Sequence, residues 1–127
     1  MDMKTFLLLV TSSPTASANC WSALAFANAA AKEHNVIVFF YGEGIHNANS
    51  FMQPPGDELN HYKAWQQLAD SHRVKLLVCA TAAIKRGVIT LDDAEIAHAF
   101  NLKAPFEAGG LAEFSQLTQT SDHLIQF

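Results

Sequence analysis

Cys79 stands where the apolar run Lys75-Leu76-Leu77-Val78-Cys79 meets a turn of small residues, Ala80-Thr81-Ala82-Ala83, followed by Ile84-Lys85-Arg86-Gly87-Val88. As a buried strand opening into a helix, this segment puts a thiol at a strand's carboxyl end beneath helix amides. In open parallel α/β sheets that is where ligands and chemistry collect. A helix N-terminus favours an anion, and the thiolate is the nucleophilic form of cysteine. The position suits a buried core cysteine equally well, since cysteine packs as a small hydrophobe. The only other cysteine, Cys20, is distant in sequence, with no CxxC pattern and no histidines at ligand spacing nearby. Neither a redox pair nor a metal site is expected from that arrangement. Cys20 falls in an alanine-rich segment and is read as a packing residue.

Other residues offer weaker chemistry. Gly42-x-Gly44 lacks the third glycine of a dinucleotide fingerprint and follows the second predicted strand, not the first. The hydroxyl-rich loop Thr11 to Ser17 could cradle a phosphate as in flavodoxin-like proteins, but Ser and Thr are ordinary turn and cap residues, and that reading is favoured. Asp92, Asp93 and Glu95 sit where acids complement a helix's first turn. Of the six histidines, His46 alone follows a strand closely enough to approach the crevice.

The chain has 127 residues, half of them apolar, and a formal charge of −4. That is enough chain for one domain with its own core and too acidic a balance for bulk nucleic-acid binding, so any role touching RNA is indirect. No apolar run reaches the ~18–20 residues that span a membrane. Phe6 to Val10 is shorter than the ~7–15 residues of a secretory core, and the charges before it are mixed. It is read as a first buried strand, although Ala16-Ser17-Ala18 resembles a cleavage site. Sparse, unpaired cysteines fit a reducing cytoplasm.

Elements that position these residues alternate along the chain. Phe6 to Val10 reads as a strand, and Thr15 to Glu33 as a helix facing inward through Trp21, Leu24, Ala25 and Ala29. Val36-Ile37-Val38-Phe39-Phe40 reads as a central strand buried on both faces. Tyr41 to Asn49 reads as a loop. Asp57 is the expected N-cap of a helix to about His72, with Leu59, Tyr62, Trp65, Leu68 and Ala69 on its apolar face. After the strand ending in Cys79, Thr90-Leu91-Asp92-Asp93 looks like a capped helix start, with Ile96, Ala97 and Phe100 inward. Pro105 to Ala108 reads as a short strand, Gly110 to about Gln119 as a helix on Leu111, Phe114 and Leu117, and His123 to Phe127 as a closing strand. The pattern predicts one α/β domain over residues 1–127, a mostly parallel sheet with helices on both faces and right-handed crossovers.

Four blocks together resemble the sulfur-relay proteins of the DsrE/TusD group: Val38 through the loop to Asn49, Ala64-Trp65-Gln66-Gln67-Leu68, Cys79 to Val88, and Asp122-His123-Leu124-Ile125-Gln126-Phe127. Their order and spacing match the family's over nearly the whole chain. One departure is the loop Ser12-Ser13-Pro14-Thr15-Ala16-Ser17, where the family often has glycine and tyrosine.

The resemblance implies a DsrE-like, flavodoxin-like fold and a cytoplasmic sulfurtransferase whose Cys79 carries sulfur as a persulfide, with no cofactor and no metal. It further implies a hetero-oligomer with two related small subunits, TusB-like and TusC-like, typically a dimer of heterotrimers. A TusA-like donor and a TusE-like acceptor would serve 2-thiolation of the wobble uridine in certain tRNAs. Relatives of DsrE type serve dissimilatory sulfur oxidation instead. Lys85 and Arg86 would lend electrostatic help to the thiolate or complement the C-terminus of their own helix, and residues from Tyr41 to Asn47 could line the crevice. The rival classes are a flavin or nucleotide-binding module built on the Thr11 to Ser17 loop and a non-catalytic structural subunit with Cys79 inert in the core.

Overall fold

The computed structural model describes residues 2–96 and 98–127. Five strands form one all-parallel sheet: β1 Thr5–Val10, β2 Asn35–Phe40, β3 Val74–Cys79, β4 Phe106–Gly109 and β5 His123–Gln126, in the spatial order β4-β3-β2-β1-β5. Four helices connect them: α1 Asn19–Ala30, α2 His61–Ser71, α3 Ala80–Lys85 and α4 Leu111–Thr120, with a 3-10 helix Gly42–Ala48 directly after β2. Apolar runs of strand length became the three central strands because each is covered on both faces. Leu7, Leu8, Val38, Phe39, Phe40, Leu76, Leu77 and Val78 are all essentially inaccessible.

The register explains how the helices divide. Val10, Phe40 and Val78 lie side by side on one face of the sheet, where Phe40 meets Trp65 of α2 at 5.3 Å, ring edge to ring face. Phe39 points the opposite way and packs on Phe114 of α4 at 4.8 Å. The chain winds from β1 to β4 in one direction, then returns past β1 to β5. Keeping a right-handed crossover on the way back puts α4 on the other face. The helices do flank both sides, as expected.

Three local expectations are corrected. First, α1 begins at Asn19, after turns through Ser13 to Ala16, and buries Cys20, Ala23 and Ala27, whereas Trp21 is 56% exposed. Asn19–Ala30 contains no charged residue, so no polar stripe marked its outer face. Second, α2 is capped by Asn60, whose side chain accepts from the Lys63 amide at 3.1 Å, while Asp57 and Leu59 precede the helix. Asp57 sits inside a turn closed by the Glu58 amide on the Pro55 carbonyl.

Third, the helix expected after Thr90 does not form among the described residues. Its cap does: Thr90 and Asp93 exchange side-chain and backbone hydrogen bonds at 3.1 and 3.2 Å. Leu91 and Ile96 are 60% and 72% exposed, and a short helix without a buried face is marginal. Asn101 clasps the base of this loop instead, accepting from the Ile89 amide at 2.7 Å and donating to the Gly87 carbonyl at 3.0 Å. Ala97, expected to face inward, lies outside the described residues.

Candidate functional site

Cys79 is both the last residue of β3 and the N-cap of α3, with extended backbone angles of −63° and 113°. Its sulfur makes no capping hydrogen bond to the α3 amides. Reactive thiols are ordinarily partly exposed, whereas Cys79 is 3% exposed. What exposure remains opens into a cleft of about 450 Å³ at the carboxyl ends of the strands. Three elements wall it: Tyr41 and Gly42 after β2, Lys85 and Arg86 from α3, and Gly110 and Leu111 at the head of α4. A recess of about 500 Å³ lies at the opposite, amino-terminal ends of the strands, around Asn35, Val74 and Pro105, and holds no cysteine.

Short α3 is stopped sharply. Gly87 takes the left-handed conformation at φ 74°, the Val88 amide bonds the Ala83 carbonyl at 2.9 Å, and the Gly87 amide bonds that of Ile84 at 3.3 Å. This paired closure satisfies carbonyls the helix end would otherwise leave open. It also fixes Arg86 against the neighbouring loop. Arg86 Nε donates to Glu43 Oε2 at 2.8 Å and Nη1 donates to the Ala82 carbonyl at 3.1 Å. The guanidinium holds the Glu43 carboxyl below its ordinary range. His46, expected near the crevice, instead lies 3.6 Å from the other Glu43 oxygen and does not line the Cys79 cleft.

The glycines of Gly42-x-Gly44 serve the fold. Gly42 has φ 55°, and a Cβ on Gly44 would fall 2.0 Å from the Val10 carbonyl oxygen, where the loops after β1 and β2 cross. Below that crossing sits a buried polar hub. Asn47 donates to the Gly44 carbonyl at 2.9 Å, accepts from Trp65 Nε1 at 3.2 Å, and lies 3.5 Å from the Cys20 sulfur. Burial pushes the Cys20 thiol up. The Ser13 and Thr15 hydroxyls bond each other at 2.9 Å and the Ser17 oxygen accepts from the Asn19 amide at 3.1 Å, which is turn and cap chemistry, while the Thr11 hydroxyl donates to the Phe127 carbonyl at 3.3 Å.

The model of the DsrE/DsrF-like family matches residues 4–127. The chain belongs to this family. Two DsrE/DsrF-like relatives, named Sulfurtransferase TusD, come from Yersinia pestis (strain Pestoides F) and Yersinia pseudotuberculosis serotype O:1b (strain IP 31758). Each is 39% identical over 131 residues, covering 100% of this chain and 100% of its own. Among solved structures, the ychN protein from E. coli superposes with a TM-score of 0.82 at 20% identity, over 98% of this chain and 100% of that one. A protein of unknown function from Methanobacterium thermoautotrophicum gives 0.61 at 12% identity, over 99% and 100%. At those identities the likeness is one of fold. The DsrE/DsrF-like architecture thus brings Cys79, Lys85 and Arg86 together, and leaves His46, Cys20 and the hydroxyl loop outside the cleft. Sequence reasoning missed the Glu43–Arg86 pair and the Asn47 hub, both of which link segments distant along the chain. The Asn-bearing block after strand two was their only trace. No helix among the described residues is long and apolar enough to cross a membrane.

Proposed function

We propose that this chain is a sulfurtransferase that carries sulfur as a persulfide on Cys79. The observation that carries the reading is the cleft that meets this thiol at the carboxyl end of β3, in a chain akin over its full length to sulfurtransferases named TusD. In the step proposed, the Cys79 thiolate attacks the outer sulfur of a donor persulfide. The donor's S–S bond breaks, its thiolate leaves with the bonding pair, and Cys79 becomes Cys79-SSH. The acceptor's cysteine thiolate then attacks the outer sulfur of Cys79-SSH and restores the Cys79 thiolate. No net oxidant is needed. With Cys79 so little exposed, the donor must present its sulfur on a slender segment that enters the cleft.

The fuller role is a cytoplasmic relay in which a TusA-like protein is the donor and a TusE-like protein the acceptor, for 2-thiolation of the wobble uridine of tRNA. TusB-like and TusC-like subunits would complete the working assembly, a heterohexamer. The uncharged outer face of α1, with Trp21, Ser22, Ala25 and Asn28 exposed, supports a partner there, since a solvent-facing helix ordinarily carries charge. The chain's acidity supports transfer between proteins over direct tRNA binding.

Intact mass after incubation with a persulfide donor tests the central claim. Wild type should gain one sulfur atom, and Cys79→Ser, still folded, should gain none. An unmodified wild type or an equally modified variant overturns it.

A further inference from the structure

Two cations line the Cys79 cleft, and the structure separates them. Arg86 is committed twice over, its Nε to Glu43 and its Nη1 to the Ala82 carbonyl, so its charge is balanced by a carboxylate and its plane is fixed. Lys85 is exposed and has no ion-pair partner among the described residues. Among the described residues, no acidic side chain lines the cleft. The sulfur of Cys79 receives no capping hydrogen bond from α3. An anion entering this space therefore meets one uncompensated charge, the Lys85 ammonium.

We infer that Lys85 is the electrostatic positioning residue of the sulfur-transfer site, which stabilises anionic sulfur species beside Cys79, and that Arg86 has no such role and instead ties α3 to the loop after β2. The inference rests on the persulfide-carrier reading and assigns its two cations different work. The sulfur species beside Cys79 become anions in the transfer itself: the thiolate that leaves when the sulfane sulfur moves, and the new Cys79 persulfide once it sheds its proton. In the transfer the donor's S–S bond breaks, a new S–S bond forms to Cys79, and the departing thiolate carries the electron pair away past Lys85. A flexible ammonium suits this task better than a tethered guanidinium, because it acts as a point charge that can follow the moving sulfur. Lys85 also ends α3, but a helix of six residues offers little dipole for it to complement.

The experiment compares two alkylating probes of nearly equal size and different charge, iodoacetate and iodoacetamide, on the full chain, reading modification of the Cys79 peptide by mass spectrometry. Both react by the same displacement, in which sulfur attacks the CH₂ carbon and iodide leaves, so the ratio of their rates isolates the effect of charge. At low ionic strength Lys85→Gln should lower the iodoacetate-to-iodoacetamide ratio about three- to tenfold, and salt should erase the difference. Lys85→Arg should restore most of the ratio. The double variant Glu43→Gln/Arg86→Gln, which deletes a neutral pair, should leave the ratio unchanged even if both rates shift together. An unchanged ratio in Lys85→Gln, or a collapsed ratio in the double variant, overturns the assignment. Failure of wild-type Cys79 to react with either probe or to load sulfur sinks the carrier reading itself. Loading that proceeds with a ratio indifferent to Lys85 sinks only the role given to Lys85.

Discussion

Asn47 Nδ2 lies 3.5 Å from the sulfur of Cys20, and that thiol donates in turn to the Ser12 carbonyl at 3.0 Å. The second cysteine is thus held inside a structural network, fully buried and with its thiol pushed up by desolvation. A serine hydroxyl can donate and accept in the same place. Cys20→Ser should therefore fold and load one sulfur atom as wild type does, checked by intact mass. A folded Cys20→Ser protein that fails to load would establish a two-cysteine relay.

Truncation of Asn47 should be costly. Asn47→Ala removes the acceptor of Trp65 Nε1 and the side-chain donor to the Gly44 carbonyl in a place without exposure. Stranding such buried groups costs about 1–3 kcal/mol each, so the unfolding midpoint in urea should drop by the equivalent of about 2–4 kcal/mol. A loss under 0.5 kcal/mol, the ordinary range for surface substitutions, would mean that the hub is dispensable.

Gly44→Ala tests the loop crossing beside the cleft. The added methyl would have to displace the Val10 backbone, which is held by the β1–β2 ladder and by the Tyr41 amide on the Val10 carbonyl at 3.0 Å. Overpacking in a rigid place costs about 1–3 kcal/mol or more. Circular dichroism melting should show a clear fall, whereas Gly56→Ala, which meets nothing within 4 Å, should melt like wild type. Equal melting of the two variants would refute the crossing.

His61 should make the fold acid-sensitive. It is 5% exposed, its Nδ1 has no partner among the described residues, and its ring meets the Trp21 ring at 5.9 Å; burial depresses its ionisation below the ordinary histidine value. The unfolded chain then binds a proton that the folded chain resists. The corresponding stability is present above about pH 6.5 and is lost as pH falls through the lower folded value. The slope of unfolding free energy between pH 7 and 5 should be shallower in His61→Gln than in wild type; parallel slopes would remove His61 as a cause.

Assembly should depend on Trp21, which is 56% exposed on the uncharged helix. Coexpressed with TusB-like and TusC-like subunits, wild type should elute as one complex. Trp21→Glu should elute apart from them while keeping the wild-type circular dichroism spectrum. Unaltered coelution would move the interface off α1.

The sheet was legible because strands buried on both faces are continuous apolar runs, and the runs ending at Val10, Phe40 and Cys79 are the three central strands. The Cys79 side of the cleft was legible for a related reason: a strand, a small-residue turn and a basic helix end are all local in sequence, whereas the wall at Gly110 and Leu111, some thirty positions on, left no sign. The inner face of α1 was not. Where alanine and aromatic residues occupy every side of a helix, periodicity has no contrast, and only the packing partners choose Cys20, Ala23 and Ala27 over Trp21. The cap at Thr90 misled because a cap terminates a helix but does not create one. The Glu43–Arg86 and Asn47–Trp65 contacts join residues 43 and 18 positions apart, a separation at which side-chain pairing leaves no pattern in a single sequence.

β1 has only one neighbour until the last strand arrives. It pairs with β2 on one side and with β5 on the other, and the Thr5 amide is met by the Asp122 side chain at 2.8 Å across 117 positions of sequence. During synthesis at about 5–20 residues per second, Phe6 to Val10 must wait several seconds with an unpaired apolar edge until His123–Gln126 has been made. An open edge of that kind is a template for pairing with another molecule. A chain cut short after α4 would keep that edge open, so the four residues His123–Gln126 act as the seal on the sheet.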